Sequence, residues 1–118
     1  MAKNTTMRIL IVGAALLWST GVAAHSPLSG TTPAHEAIIA EVPTEVLLEF
    51  EGNIHLTRVT MTHEDHPSVD MDLTGHSGFI SSYAIPVQPM GKGEYVIEWR
   101  GLGTDGHALT GSFHFTVE

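Results

Sequence analysis

The chain has 118 residues, with five Lys and Arg against 13 Asp and Glu, and a formal charge of −8 with its eight histidines neutral. That balance excludes a nucleic-acid binder working through phosphates and favours cations. There is no cysteine, so disulfides and thiolate metal ligands are excluded, and any metal must be held by nitrogen, oxygen or thioether.

Residues 1–24 read as a secretory signal peptide. Lys3 and Arg8 come first, an apolar run from Ile9 to Trp18 follows, and Val22-Ala23-Ala24 supplies the small residues before a cut. The apolar run is about ten residues where a membrane span needs about twenty, which argues against a permanent anchor. Cleavage after Ala24 makes His25 the first residue and leaves residues 25–118 as one modest domain. Its cations are then Arg58, Lys92 and Arg100 against all 13 acids.

The segment from His25 to Pro33 is too rich in Pro and Ser for a helix and reads as an extended lead-in strand on a sheet edge. Ala34 to Val42 fits a helical turn or a short strand around Ile38 and Ile39 equally well. Glu45 to Glu51 alternates as a strand, with Val46, Leu48 and Phe50 on one face, and Gly52-Asn53 predicts a turn. Leu56 to His63 alternates again, with Leu56, Arg58, Thr60 and Thr62 opposite Thr57, Val59, Met61 and His63. Ser68 to Leu73 predicts a further strand. Tyr83 to Val87, short and bounded by Pro86 and Pro89, predicts an edge or irregular strand. Gly91-Lys92-Gly93 reads as a hairpin turn. Glu94 to Arg100 places Tyr95, Ile97 and Trp99 on one face, and Ser112 to Val117 does the same with Phe113, Phe115 and Val117. About seven short strands without a ten-residue helix predict an all-β, antiparallel sandwich.

Two places carry chemistry. A first-residue His25 offers its α-amine and its Nδ1 to one ion, closing a six-membered chelate, and both nitrogens lose protons near neutral pH. Asp105-Gly106-His107 spaces a carboxylate and an imidazole so that, in an extended segment, both project the same way. Three nitrogens and a weaker oxygen from His25, His107 and Asp105 suit Cu(II), and zinc accepts the same donor types. Taken singly, His25 reads as a frayed terminus, Asp105 as a turn cap and His107 as a loop residue. His63 and His66 read as solvated loop histidines, and His35, His55, His76 and His114 as structural or surface residues.

His25 after the signal, Tyr95-x-Ile97-x-Trp99-Arg100 and Asp105-Gly106-His107 followed by Gly111-x-Phe113-x-Phe115-x-Val117 resemble the CopC-type periplasmic copper-binding proteins. The resemblance runs through essentially all of residues 25–118. It implies a small seven-stranded Greek-key sandwich or barrel, immunoglobulin-like, with one high-affinity Cu(II) per chain held by His25, Asp105 and His107. It implies a monomeric periplasmic carrier or buffer in copper resistance or homeostasis, with an inner-membrane copper importer as a partner. Three departures stand out. Ser26 replaces the proline that often follows the first histidine. Glu51 is shifted from the position where some members add a Glu ligand. The region matching a methionine-rich Cu(I) loop has only Met61 and Met71. Competing readings are a copper-dependent oxidative enzyme with an amine–imidazole site and a metal-free immunoglobulin-like interaction domain.

Overall fold

The computed structural model describes residues 27–118, and all regular structure in that span is β-strand. The strands are β1 (Leu28–Thr32), β2 (Ile38–Ile39), β3 (Glu45–His63), β4 (Val69–Asp70), β5 (Ile80–Pro86), β6 (Gly93–Gly103) and β7 (Ala108–Val117). All pairings are antiparallel except β2 with β7, which is parallel. The all-β expectation holds.

One strand organises the rest. The first part of β3 is flanked by β1 and β5, and its second part by β6 and β4; β7 then extends from β6 and β2 from β7. β3 therefore contributes to both faces of the core. Val46, Leu48 and Phe50 from its first part pack with Tyr95, Ile97, Trp99, Phe113, Phe115 and Val117 from β6 and β7. Phe50 meets the rings of Trp99 and Tyr83 edge-on, with centroids 5.1 and 6.0 Å away, and Tyr95 stacks on Phe115 at 5.2 Å. Aromatic pairs at these separations add to the area they bury, which matters in a domain without a disulfide.

The expected turn at Gly52-Asn53 is absent, because the chain stays paired on both sides of it. Glu51 N–H donates to the Pro27 carbonyl at 2.7 Å, and Ile54 already pairs with Gly103 and Ile80. A chain so held bends from one layer into the other instead of reversing. Tyr83, 1% exposed, closes the bend: its hydroxyl donates to the Ile54 carbonyl at 2.5 Å and accepts from Leu56 N–H at 3.1 Å.

The face expected for Leu56 is also corrected. Sequence alternation groups Leu56 with Arg58, yet Leu56 is buried with Val59, Met61 and His63. The register with β6 steps from Leu56–Gly101 to Arg58–Arg100, leaving Thr57 as an extra residue. Such a bulge switches which parity faces inward. Gly101 makes room for it, since a Cβ there would sit 2.9 Å from the His55 carbonyl oxygen.

Three further expectations change. Ser68 to Leu73 contains only the two-residue β4, and Thr74 N–H bonds the Asp72 carboxylate at 2.8 Å as the chain turns away. Gly91 to Gly93 is no hairpin, because β5 and β6 each pair with β3 and not with one another. The link crosses between layers; Gly91 and Gly93 take φ of 90° and 123°, and the Tyr95 hydroxyl donates to the Gly91 carbonyl at 2.6 Å. His63 is not a solvated loop residue. It is 5% exposed, and its Nε2 donates to the Lys92 carbonyl at 2.7 Å. The open choice at Ile38 and Ile39 resolves as strand, and β5 is an edge strand as expected.

Two substitutions probe this scaffold. Tyr83→Phe should cost about 1–3 kcal/mol, the cost of orphaning buried polar groups, read from denaturant unfolding. Gly111 faces Trp99, where a Cβ would lie 2.7 Å from the indole. Gly111→Ala should therefore lower stability by about 1–3 kcal/mol through overpacking; an unchanged midpoint would contradict the close approach.

Candidate metal centre

The β6–β7 connection carries Asp105 and His107. Gly103 N–H donates to the His107 carbonyl and Gly106 N–H to the Gly103 carbonyl, each at 2.9 Å. Gly106 has φ 86°, a conformation a side chain would resist. The segment is thus a tight turn, where the Asp-Gly-His spacing predicts side chains projecting together from an extended run.

The turn brings the two side chains together by folding one back on the other. Asp105 Oδ1 accepts from His107 N–H at 3.0 Å, and Oδ2 lies 2.9 Å from Nδ1 of the same residue. A carboxylate accepts only, so the His107 proton sits on Nδ1 and Nε2 is the nitrogen open to a metal. The carboxylate keeps further lone pairs, so an Asp105 oxygen can still reach an ion while holding the ring.

Each group shifts the other. The His107 backbone N–H first, and its ring second, hold the Asp105 carboxyl below its usual range. The hydrogen bond from Asp105, then its charge, raise the His107 imidazole above the ordinary value. The side chains are 82% and 68% exposed for His107 and Asp105, so burial contributes little and direct contact dominates.

The first described residue reaches the same part of the molecule. Pro27 is bonded to Glu51, and the turn hangs from Gly103, which pairs with Ile54. Glu51 and Ile54 are close neighbours on β3. The structure thus unites Asp105 with His107, while His25 lies outside the described residues. Of the remaining histidines, His76 Nε2 donates to the Ala84 carbonyl at 2.8 Å and His55 meets Phe79 edge-on, as structural residues should. His35 and His114, read separately from sequence, are in contact, with ring centroids 4.6 Å apart. No local pattern could have paired them, because only strand register joins positions so distant in the chain.

Residues 28–118 match the model of the CopC domain. Copper resistance protein C of Pseudomonas syringae pv. tomato is 28% identical over 127 residues, covering all of both chains. Among solved structures, CopC from Methylosinus trichosporium OB3b superposes with a TM-score of 0.66 at 23% identity, over 80% of this chain and 94% of that one. PcoC, a methionine-rich copper resistance protein from Escherichia coli, gives 0.57 at 28% identity, over 80% of this chain and all of its own. A strand-only fold bent about β3, an aspartate–histidine turn after β6 and a domain match over all but the first residues agree: the chain belongs to the CopC family.

Proposed function

We propose that this protein is a periplasmic Cu(II) carrier or buffer that contributes to copper resistance or delivers copper toward a membrane importer. One cupric ion is held by the α-amine and Nδ1 of His25, Nε2 of His107 and an oxygen of Asp105. The protein binds and releases the ion and performs no chemistry on a second substrate. The names of its relatives as copper resistance proteins support this reading.

The observation that carries it is the meeting of two remote segments at one stretch of β3. Glu51, beside Pro27, and Ile54, beside Gly103, are about 10 Å apart along a strand. His25 is two residues before Pro27, and two residues span up to about 7 Å. The amine and imidazole of His25 therefore have the reach to join Nε2 of His107. Cu(II) accepts such a mixed nitrogen and oxygen set and stands at the top of the divalent affinity order.

Asp105 has two tasks in this reading. It fixes the ring of His107 so that Nε2 points outward, and it offers a weaker axial oxygen. A partner that orients a ligating histidine typically contributes about 10–100-fold in affinity.

Four outcomes test the proposal. Protein carrying one extra residue before His25 should bind Cu(II) more weakly than processed protein by more than about 100-fold, since an amide replaces the amine. Equal affinities in competition with a calibrated chelator would sink the chelate. Asp105→Asn should weaken binding less than His107→Ala, and the reverse order would contradict the assigned roles. Protons compete with metal for His107, whose imidazole titrates above its ordinary value. Affinity should therefore keep rising with pH through that raised value. Asp105→Asn should lower the imidazole pKa of the metal-free protein, followed by ring-proton NMR, and an unmoved titration would show that the contact is absent in solution.

A further inference from the structure

A second group of donors stands well away from this turn. His114 lies seven residues beyond His107, about 23 Å along a strand. His35 and Glu36 precede β2 and are laid against β7. Glu36 N–H donates to the His114 carbonyl at 2.6 Å, His114 N–H reaches Nδ1 of His35 at 3.3 Å, and Thr116 N–H donates to the Ala37 carbonyl at 2.9 Å. The backbone thus fixes where these side chains emerge.

The side chains converge. One donor atom from each of His35, Glu36 and His114 lies within 4.8 Å of the others, the one such trio of His, Cys, Asp or Glu among the described residues. The Glu36 carboxylate is 3.9 Å from Nε2 of His35. A second carboxylate, Glu94 of β6, comes within 4.0 Å of Nε2 of His114. All four residues face solvent at least in part, so rotamer changes are open to them. Two ligands of a tetrahedral zinc ion are about 3.3 Å apart, given Zn–N bonds of about 2.0–2.1 Å. Closing the trio by about 1.5 Å is within the range of exposed side chains. Metal at Nε2 of His35 moves the ring proton to Nδ1 and gives up the 3.3 Å contact there, which is too long to oppose it strongly.

We propose that His35, His114 and Glu36, with Glu94 as the fourth group, form a second metal site, independent of the Asp105–His107 turn, for a divalent ion of zinc or copper type. Two imidazoles and a carboxylate are a zinc donor set, and the same set takes Cu(II) by the affinity order. The carboxylates offset the ion's charge and, where they do not ligate, orient the rings. His63 and His76 stand outside this group: Nε2 of each is engaged by a carbonyl, and among the described residues neither belongs to a trio of converging donors.

The test uses the processed full chain and Zn(II) alone, with the histidine ring nitrogens followed by NMR. The expected result is a saturable shift at His35 and His114 that persists in His107→Ala, while the rings of His63 and His76 stay put. His35→Ala and His114→Ala should each weaken this binding by at least about tenfold, because losing a ligand costs no less than losing an outer partner. Glu36→Gln should weaken it with both rings present, which covers the case where His114→Ala does not fold. With Cu(II), paramagnetic resonance should show a second equivalent that His107→Ala retains and His35→Ala loses. Absence of the His35 and His114 shifts, or their disappearance in His107→Ala, would overturn the second site without touching the first.

Discussion

The bend in β3 is the constraint on which the molecule depends. A strand that stays hydrogen-bonded while it passes between layers must leave some backbone groups without a ladder partner at the corner. Here the Tyr83 hydroxyl takes the Ile54 carbonyl and the Leu56 N–H together. One phenol thus bonds a donor and an acceptor at the corner, and leaving such buried groups unpaired costs about 1–3 kcal/mol each. Its ring meanwhile packs edge-on against Phe50, the last inward residue before the bend. The corner is therefore held by hydrogen bonding and by packing from a single side chain on β5.

The same corner brings function within reach of the fold. β1 starts beside Glu51 and β6 ends beside Ile54, so the start of the described chain and the β6–β7 turn lie near one another beside the bend. Two segments at opposite ends of the chain acquire a common location without a disulfide or a helix to tie them. Gly101 and the Thr57 bulge adjust the second part of β3 so that Val59, Met61 and His63 stay inward after the step in register.

Much of this was legible in the sequence where one residue in two is apolar. Alternation puts Tyr95, Ile97 and Trp99, and Phe113, Phe115 and Val117, each on one face, and all six are buried. The alternation failed where tertiary pairing overrides local signals. Gly52-Asn53 has the composition of a turn, but a turn forms only if the flanks are free to reverse, and both are paired. The bulge at Thr57 leaves no mark in the hydrophobic pattern except a broken parity, which reads as an ordinary strand edge. The aspartate–histidine pair is legible as a unit because only Gly106 separates the two in the chain. Its geometry is not, since Gly106 at positive φ replaces extension with a turn. His35 and His114 were illegible as a pair because the contact is made by β2 lying parallel to β7, a long-range choice that no local window contains.

Exposure decides what kind of metal site the turn can make. Asp105 and His107 stand largely in water, so the protein does not intensify their field by removing solvent. In the site proposed above, affinity would come from chelation and from preorganisation, by a ring fixed in advance at Nδ1 and by donors on short tethers. Such a site would differ from a buried one in its release: among the described residues no packed layer covers Asp105 and His107, so a competing ligand could approach the ion directly. The acidic surface acts in the same direction, drawing cations toward the protein without holding them tightly. A donor pair fixed by hydrogen bonds on an otherwise open turn suits an ion that is to be handed on, whereas a buried cage would suit one that is to stay.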